Sequence, residues 1–429
     1  MRPSPLAIPL ERRAPSMHRL FRYPAKFHPP VVDALIEAFT KPGQVIFDPF
    51  CGSGTTLLES SIAGRRSSGS DIDPLAVAIA TAKTRRYELE EVRETLGQIN
   101  AAASDFERAE ADYRQLQWED LTESQMESEL GDLQLPAIPN FKHWFRNNVA
   151  VDLARLKRVI ASTEASESVL ALAYILFASI IRNSSNADPV PVSGLEVTAH
   201  MRRLDAEGRI INPFALFRRA TQKALAAVAE VNALVDKETP SPAVSLADAT
   251  TSRPPEQVDA VITSPPYHNA VDYYRRHQLE MFWLDLTPSQ TERLALKPRY
   301  IGAPRTPAAH PALSLAWSPT TAAAQWERAM AAENEQRARD FRAYMSMMNQ
   351  VFMNLGAVLE PGSPLVFVVG RSTWNGDAIP TDSLFVELSD SLFSLDQHLT
   401  YPVRNRYMSY SRRNGADINE EHVLVLRRR

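Results

Sequence analysis

The chain has 429 residues, a formal net charge of −4 and a single cysteine, Cys51. One cysteine excludes an intramolecular disulfide and a cysteine-based zinc site, and no histidine pair has a metal-binding spacing, so we expect no metal. With 44% hydrophobic and 23% charged residues, the chain can bury a large core and is expected to form two lobes.

The first 15 residues contain no continuous apolar segment followed by a small-residue cleavage site, so we predict no secretory signal and a cytoplasmic location. Apolar residues then recur at helical spacing from Pro29 to Phe39, which predicts a helix. A buried strand over 44–47 follows and enters the glycine-rich turn 48–54. The next helix is expected to be capped by Thr55 or Thr56.

The glycine turn is the first segment that carries chemistry, because only glycine lets a ligand approach the backbone without a side-chain clash. Gly52 and Gly54 allow this, but the third glycine of the dinucleotide fingerprint is missing, and Thr55-Thr56 replaces the Lys-Thr of a phosphate loop. The pattern favours S-adenosylmethionine. A second strand, 66–70, ends at Asp71, whose carboxylate could accept hydrogen bonds from both ribose hydroxyls of that cofactor. The alternative is that the glycine turn is a plain structural turn without a ligand.

Strand–helix alternation stops between about Arg85 and Pro242, where the pattern becomes charged and mostly helical. Its longest apolar stretch, 169–181, is too short to cross a bilayer and predicts a buried helix, so we expect no membrane attachment. We therefore predict three segments: residues 1–84 as the cofactor-binding part of a catalytic domain, 85–242 as an inserted target-recognition lobe, and 243–429 as the rest of the catalytic domain.

Alternation resumes with a strand over 243–246, a loop containing Asp248, and a strand over 258–263 that leads into Ser264-Pro265-Pro266-Tyr267. The remaining predicted elements are a helix over 274–286, a loop over 296–319, a long helix to Leu355, a strand over 365–369 and a terminal strand over 422–426. This order predicts an α/β fold, a Rossmann-like, doubly wound and mostly parallel sheet, with the helical lobe inserted.

The segment Ser264 to Tyr267 suits an amine substrate. The two prolines fix the backbone, so that the Ser264 hydroxyl and the Pro265 carbonyl can accept hydrogen bonds from an amino group and direct its lone pair at a methyl donor. If the amino group belongs to a nucleic-acid base, Tyr267 would stack on that base. Alone, the segment could be a chance turn, but its coupling to the glycine turn predicts that both loops emerge side by side at the carboxyl edge of one sheet.

These two motifs resemble the DNA amino-methyltransferases that carry a T-S-P-P-Y signature, the site-specific enzymes of restriction-modification systems. The resemblance includes residues 23–29 and 269–277, and covers the N-terminal quarter and most of the chain after Ala243. It implies a class I methyltransferase fold, S-adenosylmethionine as cofactor with S-adenosylhomocysteine as product, and catalytic roles for Ser264, Pro265, Pro266 and Tyr267.

The resemblance also implies which residues contact the cofactor. They are Lys26, Phe27, His28, Asp48, Pro49, Phe50, Cys51, Gly52, Ser53, Gly54, Thr55, Thr56, Asp71, Ile72 and Asp248. The insert precedes the strand that leads to Asp248, which departs from the family order. Either that strand is assigned wrongly or the recognition lobe is placed unusually.

Methylation of cytosine C5 needs a cysteine nucleophile, and Pro266 occupies the place where it would stand, so that chemistry is excluded. Direct in-line transfer to an exocyclic amine remains. By the resemblance, serine at the first signature position favours cytosine N4, whereas Asp or Asn is more usual for adenine N6. The alternatives are an adenine-N6 enzyme, an RNA amino-methyltransferase and a non-catalytic accessory protein that binds the cofactor or DNA.

The expected partner is double-stranded DNA, from which the target base must be extruded. A cognate restriction endonuclease is a further possible partner, and the chain is expected to be a monomer or dimer. Because the net charge is negative, DNA contacts must come from local patches, each of which could equally be a solvated surface or a helix cap. The expected DNA-contacting residues are Arg182, Asn183, Arg202, Arg203, Arg404, Arg406, Arg412 and Arg413.

Overall fold

A computed structural model describes residues 3–8, 13–190, 195–268, 272–287, 289–315, 321–403 and 419–429. The strands are β1 (Ser4–Pro5), β2 (Val45–Asp48), β3 (Arg66–Asp71), β4 (Ala243–Leu246), β5 (Ala260–Thr263), β6 (Pro364–Gly370), β7 (Thr373–Trp374), β8 (Asp377–Ala378), β9 (Phe393–Pro402) and β10 (Glu420–Arg428). The helices before β4 are α1 (Pro29–Phe39), α2 (Thr55–Ile62), α3 (Pro74–Thr84), α4 (Leu89–Ser104), α5 (Glu110–Leu116), α6 (Glu123–Leu130), α7 (Phe141–Trp144), α8 (Asn147–Ser162), α9 (Glu167–Ser184), α10 (Ala199–Ala206) and α11 (Pro213–Leu234). The helices after β4 are α12 (Tyr273–Arg276), α13 (Gln278–Trp283), α14 (Gln290–Leu296), α15 (Thr321–Glu333), α16 (Glu335–Gly356) and α17 (Thr381–Ser389).

Eight strands form one sheet in the order β1-β9-β10-β6-β5-β2-β3-β4. Neighbouring strands are parallel except at β10, which runs antiparallel to both β6 and β9. After β1 at one edge, the chain enters the centre of the sheet at β2, moves outward to β4, and returns to β5 on the other side of β2. This confirms the predicted doubly wound, mostly parallel sheet, and places the topological switch point between β2 and β5.

Both faces of the central strands are buried, which explains their nearly continuous apolar sequences. Ile46 of β2 packs with α1 on one face, beside Val31 and Ile36. The next residue, Phe47, faces the opposite side and belongs to the core formed with α16, where Phe352 is buried. The alternation therefore fixes the register of β2, and with it the position at which the strand ends.

Helices α4 to α11 lie between α3 and β4 and share one core with parts of the catalytic segments. Trp283 of α13 is fully buried and packs edge-to-face against Phe145 and Phe177 of the helical region. Helix α9 has 18 residues, longer than the predicted 169–181, and is long and apolar enough to cross a membrane by length and composition alone. Because 61% of that window is buried within the structure, α9 reads as a core helix.

Several local predictions differ from the structure. The N-cap of α2 is Gly54 at φ 71°, so the predicted cap by Thr55 or Thr56 is wrong. The helix predicted over 274–286 is divided into α12 and α13 at His277, and the long helix ending near Leu355 is divided into α15 and α16 at Asn334. The Asn334 side chain accepts from the Arg337 amide and so begins a new helix. Strand β9 was not predicted.

Candidate active site

The glycine turn after β2 is shaped by close contacts on both sides. Gly52 has φ +48°, and a Cβ there would lie 3.3 Å from a ring carbon of Tyr23. A Cβ at Gly54 would lie 3.0 Å from the Ala80 Cβ of α3. The Gly52 amide donates to Asp71 Oδ2 at 2.9 Å, which fastens the turn to the end of β3. The turn therefore presents backbone, with the Asp71 carboxylate directly beside it.

The proline segment emerges next to this turn. Strands β2 and β5 are parallel neighbours, with Phe47 opposite Val261. At their ends the Thr263 hydroxyl donates to Asp48 Oδ1 at 2.6 Å, with both side chains buried. The prediction that the two loops lie side by side at the carboxyl edge of one sheet is confirmed.

A cavity opens between the two loops. Its walls include Ser264 and Pro266 as well as most of the expected cofactor residues, namely Lys26, Phe27, Asp48, Pro49, Phe50, Cys51, Gly52, Ser53, Thr55, Thr56, Asp71, Ile72 and Asp248. His28 lines a neighbouring cavity instead, and Gly54 packs against α3. The strand before Asp248 is present as β4, paired with β3, so its assignment was correct. The cofactor roles themselves stay predictions.

The titratable groups of this cavity are shifted towards neutrality by burial. Desolvation raises the pKa of Asp48 to about 6, opposed by the hydrogen bond from Thr263. Burial, with a further contribution from the nearby Asp73 carboxylate, raises the pKa of Asp71 to about 7. Burial lowers the pKa of Lys26 to about 8. A cationic ligand in this cavity would therefore favour the ionised forms of the two carboxyl groups.

These residues suit S-adenosylmethionine. Glycine backbone offers close approach, the Asp71 carboxylate can accept hydroxyl hydrogen bonds, and Phe50 and Ile301 supply apolar wall for a purine. Seven wall residues were not among the expected contacts: Tyr23, Ala25, Ala249, Tyr273, Arg299, Tyr300 and Ile301. Three of them come from the Pro- and Arg-rich loop 296–319, where no periodicity marks a binding position.

A buried polar chain supports the glycine turn from behind and was also missed. Glu59 Oε1 lies 2.7 Å from His18 Nε2, and Lys83 Nζ lies 3.2 Å from His18 Nδ1. Lys83 Nζ also lies 3.4 Å from the Ser53 hydroxyl within the turn. Burial lowers the pKa of Lys83 well below its usual value. These side chains come from three separate parts of the chain, around residues 18, 53–59 and 83, so no local pattern could have joined them.

The Ser264–Tyr267 segment is held by different contacts at each residue. The Ser264 hydroxyl donates to the Val368 carbonyl at 3.2 Å, which leaves its oxygen able to accept. The Pro266 carbonyl accepts from the Tyr344 hydroxyl at 3.1 Å. Within the part of the chain that the structure describes, the Pro265 carbonyl has no such partner. The Pro266 carbonyl thus anchors the loop to α16.

A second, open cavity with about 2160 Å³ of empty space adjoins the first and shares Lys26, Phe27, Ser264 and Pro266 with it. Its remaining wall includes His28, Pro265, Tyr267, Tyr401 and Glu421. A planar ring entering here would meet the expected catalytic residues and lie next to the cofactor cavity. Tyr401 and Glu421 come from β9 and β10 and were not predicted.

The expected DNA-contacting residues divide into three groups. Arg182 is buried: its guanidinium donates to the Arg276 carbonyl and lies 3.6 Å from Glu280, so its expected place on a DNA-facing surface was wrong. Asn183, Arg202 and Arg203 are exposed. Arg404, Arg406, Arg412 and Arg413 lie outside the described residues.

One group of potential metal ligands occurs among the described residues, formed by Asp382, His398 and His422. Both Asp382 oxygens and one ring nitrogen of each histidine already have partners within the chain. Arg371 contacts both Asp382 oxygens, at 2.7 and 2.8 Å, and His398 Nε2 lies 3.0 Å from His422 Nδ1. The cluster is therefore explained as an ion pair and a histidine pair that join α17 to β9 and β10.

Comparison with known proteins is consistent with this geometry. The family model described as DNA methylase matches residues 8–82. Type II methyltransferase M.MvaI of Kocuria varians is 25% identical over 392 residues, covering 86% of this chain and 80% of that protein. M.MjaII of Methanocaldococcus jannaschii is 34% identical over 86 residues, 20% of this chain and 16% of its own length. M.BsoBI of Geobacillus stearothermophilus is 25% identical over 295 residues, 65% of this chain and 55% of its own length.

Among solved structures, TrmN from Thermus thermophilus has a TM-score of 0.31 and 9% identity, covering 94% of this chain and 49% of that one. The rRNA methyltransferase aviRa from Streptomyces viridochromogenes also has a TM-score of 0.31 and 9% identity, covering 95% of this chain and 88% of its own. At these scores the overall superposition is poor.

Proposed function

Because this chain belongs to the N4/N6 DNA methyltransferase family of the restriction-modification type, we propose that it methylates the exocyclic N4 of cytosine in double-stranded DNA, with S-adenosylmethionine as the methyl donor. The observation that carries the proposal is the junction of β2 and β5. There the Thr263–Asp48 hydrogen bond joins the cofactor cavity to the Ser264–Tyr267 segment. Donor and acceptor would meet across one shared wall.

The cofactor supplies an electrophilic methyl group on a sulfonium. The chain's own contribution is to hold that group in place: Asp71 would accept hydrogen bonds from the ribose hydroxyls, and the Gly52 backbone would allow close approach. Lys26 stands at the edge shared by both cavities, where its ammonium could pair with a carboxylate. Such positioning is the main catalytic contribution expected for a direct displacement.

The target amine would be oriented by two acceptors. The Ser264 oxygen keeps accepting capacity while its proton is directed at Val368, and the Pro265 carbonyl is unpartnered among the described residues. Hydrogen bonds from both amine N–H groups would turn the nitrogen lone pair away from the ring and towards the cofactor cavity. Tyr267 would stack on the extruded base and offset part of the unstacking cost, which is a few kcal/mol.

Cytosine is favoured over adenine because the first position of the signature is serine. Its hydroxyl is a neutral acceptor, and its short side chain is held at the strand end by the Val368 carbonyl. The family resemblance associates this residue with N4 methylation. Adenine N6 is the alternative outcome of the experiment below.

The test is to incubate the protein with methyl-labelled S-adenosylmethionine and either duplex DNA or total RNA, then to digest the product and identify the labelled nucleoside. We expect N4-methylcytosine from DNA, and at least a 100-fold lower rate for Pro265→Ala and Tyr267→Ala combined. Label in N6-methyladenine would show that the target base is adenine and not cytosine. Label confined to RNA, or no transfer, would overturn the proposal. Sequencing that reports modified bases would then identify the target site.

Sequence recognition would fall to the inserted helices. Arg202 and Arg203 are exposed on α10, where they could contact phosphates, and Asn183 is exposed near the end of α9. If Arg202 and Arg203 contact phosphates, replacing both by alanine should lower the slope of log affinity against log salt by about two. The exposed Arg219 of α11 provides a control position. An unchanged slope would remove α10 from the interface.

A cognate endonuclease is also proposed as a partner, because the family belongs to restriction-modification systems.

A further inference from the structure

A carboxylate from the last strand holds the tyrosine of the proposed catalytic segment. The Tyr267 hydroxyl donates to Glu421 Oε1 at 2.7 Å, and the Tyr401 hydroxyl donates to the other oxygen, Oε2. Each carboxylate oxygen therefore has its own phenol. Hydrogen bonds of this kind, from a neutral donor to an ionised acceptor, are about twice as strong as neutral ones.

The sheet explains how residues so distant in sequence meet. Strand β10 lies between β6 and β9, and Glu421 is paired with Gly370 on one side and Tyr401 on the other. It thus stands at the carboxyl edge of the sheet, one strand beyond β6, whose other neighbour β5 delivers the catalytic segment. The reversed direction of β10 brings the start of that strand to this edge.

All three side chains line the second cavity, together with Ser264, Pro265 and His28. Tyr401 is 4% exposed, so packing fixes its ring. Its hydroxyl therefore holds the Glu421 carboxylate in a fixed position. The ring of Tyr267 follows two prolines but is attached to them by rotatable bonds. Glu421 ties the free end of that ring to the packed sheet.

From this geometry we propose that Glu421, supported by Tyr401, is a positioning residue for the target base: it fixes the ring of Tyr267 on which the extruded base stacks. The inference rests on the proposed function and adds to it a specific means of base capture. Glu421 acts through Tyr267 and does not need to contact the reacting atoms.

The test compares Glu421→Gln with Glu420→Gln, its exposed neighbour on the same strand, in the full chain. The glutamine at 421 keeps the shape but replaces one charged acceptor by an amide donor. We expect a fall of about tenfold or more in the single-turnover methylation rate of duplex DNA for Glu421→Gln, and unchanged cofactor affinity. Glu420→Gln should match the wild type.

A second comparison distinguishes a role in base capture from a purely structural role: the target base is either paired or unpaired in the duplex. On a duplex whose target base lies opposite an abasic position, extrusion costs less, so the defect of Glu421→Gln should shrink several-fold if it arises in base capture. Tyr401→Phe should show a smaller defect of the same kind, and combining it with Glu421→Gln should add less than the two single losses together.

Equal rates for Glu421→Gln and wild type would overturn the inference while leaving the proposed function intact, as would a defect of equal size on both duplexes. A wild-type protein that transfers no methyl group to DNA would instead overturn the proposed function. If Glu421→Gln does not fold, Tyr401→Phe decides alone, because it removes one hydroxyl from an otherwise unchanged ring.

Discussion

The two cavities at the edge of the sheet are built in different ways. The largest continuous part of the first cavity's wall is the turn 48–56, which is fastened to the end of β3 by a backbone amide donating to Asp71. The second cavity is assembled from side chains far apart in the chain, with Tyr267 and Glu421 separated by 154 residues. A site made from one local segment can be read in a sequence, and a site made from distant segments cannot.

Asp71 tests the local site, and its replacement should have the largest effect. Asp71→Asn keeps the size of the side chain but removes its charge and replaces one acceptor oxygen by an amide nitrogen. The Gly52 amide donates to Asp71 Oδ2 and would lose its partner if that oxygen were the one replaced. We expect the dissociation constant of S-adenosylmethionine to rise about 100-fold, measured by titration calorimetry. Asp105→Asn, at an exposed helix end, is the control.

The Asp71 result also sharpens the comparison between the two cavities. Once the cofactor is saturating, Asp71→Asn should methylate DNA within about threefold of the wild-type single-turnover rate, since it contacts only the first cavity. A loss of rate at saturation as large as the loss of affinity would mean that the two cavities are not separable.

Thr263 stands at the junction, so its replacement should affect both cavities. Thr263→Val removes the donor to Asp48 and leaves a buried carboxyl group without that bond. The free energy of unfolding should fall by about 1–3 kcal/mol, measured by urea denaturation. The methylation rate should also fall. Thr291→Val on the exposed face of α14 controls for the substitution itself, and equal stabilities of the two variants would contradict the role of the junction.

The sequence predicted the strands β2, β4 and β6 to within two residues, because each is a short, mainly apolar run bounded by glycine, proline or aspartate. Strand β3 was predicted equally closely although its sequence is polar. It did not predict β9. That strand lies towards one edge of the sheet, and its sequence around Asp396 and Gln397 mixes exposed polar residues with buried ones such as Phe393 and Tyr401. No two-residue period identifies such a strand, and so the wall it provides was missed as well.

The break between α12 and α13 has a similar cause. The sequence from Tyr274 to Leu286 has no glycine or proline to interrupt it, yet the helix is divided at His277. There the His277 Nδ1 lies 2.7 Å from an oxygen of Asp73, with both side chains buried. That pairing spans 204 residues, and only the folded sheet brings the two side chains together.

Gly52 tests whether the local site depends on backbone shape as well as on charge. Gly52→Ala would place a Cβ 3.3 Å from Tyr23 at a positive φ, so we expect a loss of about 1–2 kcal/mol in unfolding free energy. Gly43→Ala has a positive φ and open space around it, and serves as the matched control. Only Gly52→Ala should weaken cofactor binding. Equal effects on binding would show that the contact with Tyr23 has no role there.

The smallest expected effect is that of pH on the first cavity. Burial and Asp73 raise the pKa of Asp71 from 3.8 to about 7, so the folded protein holds a proton between these values that the unfolded chain has lost. Stability contributed by this group therefore falls as the pH rises from about 4 to 7. Cofactor binding should follow the opposite course, because the ionised carboxylate accepts more hydrogen bonds than the protonated form.

The affinity for S-adenosylmethionine should therefore drop several-fold between pH 8 and pH 6, and binding near pH 7 should release a proton. Calorimetry in two buffers of different ionisation enthalpy measures that release directly. In Asp71→Asn the release should be reduced to what remains from Asp48, whose pKa is about 6. Proton uptake on binding, or an unchanged release in Asp71→Asn, would assign the pH dependence to groups outside the first cavity.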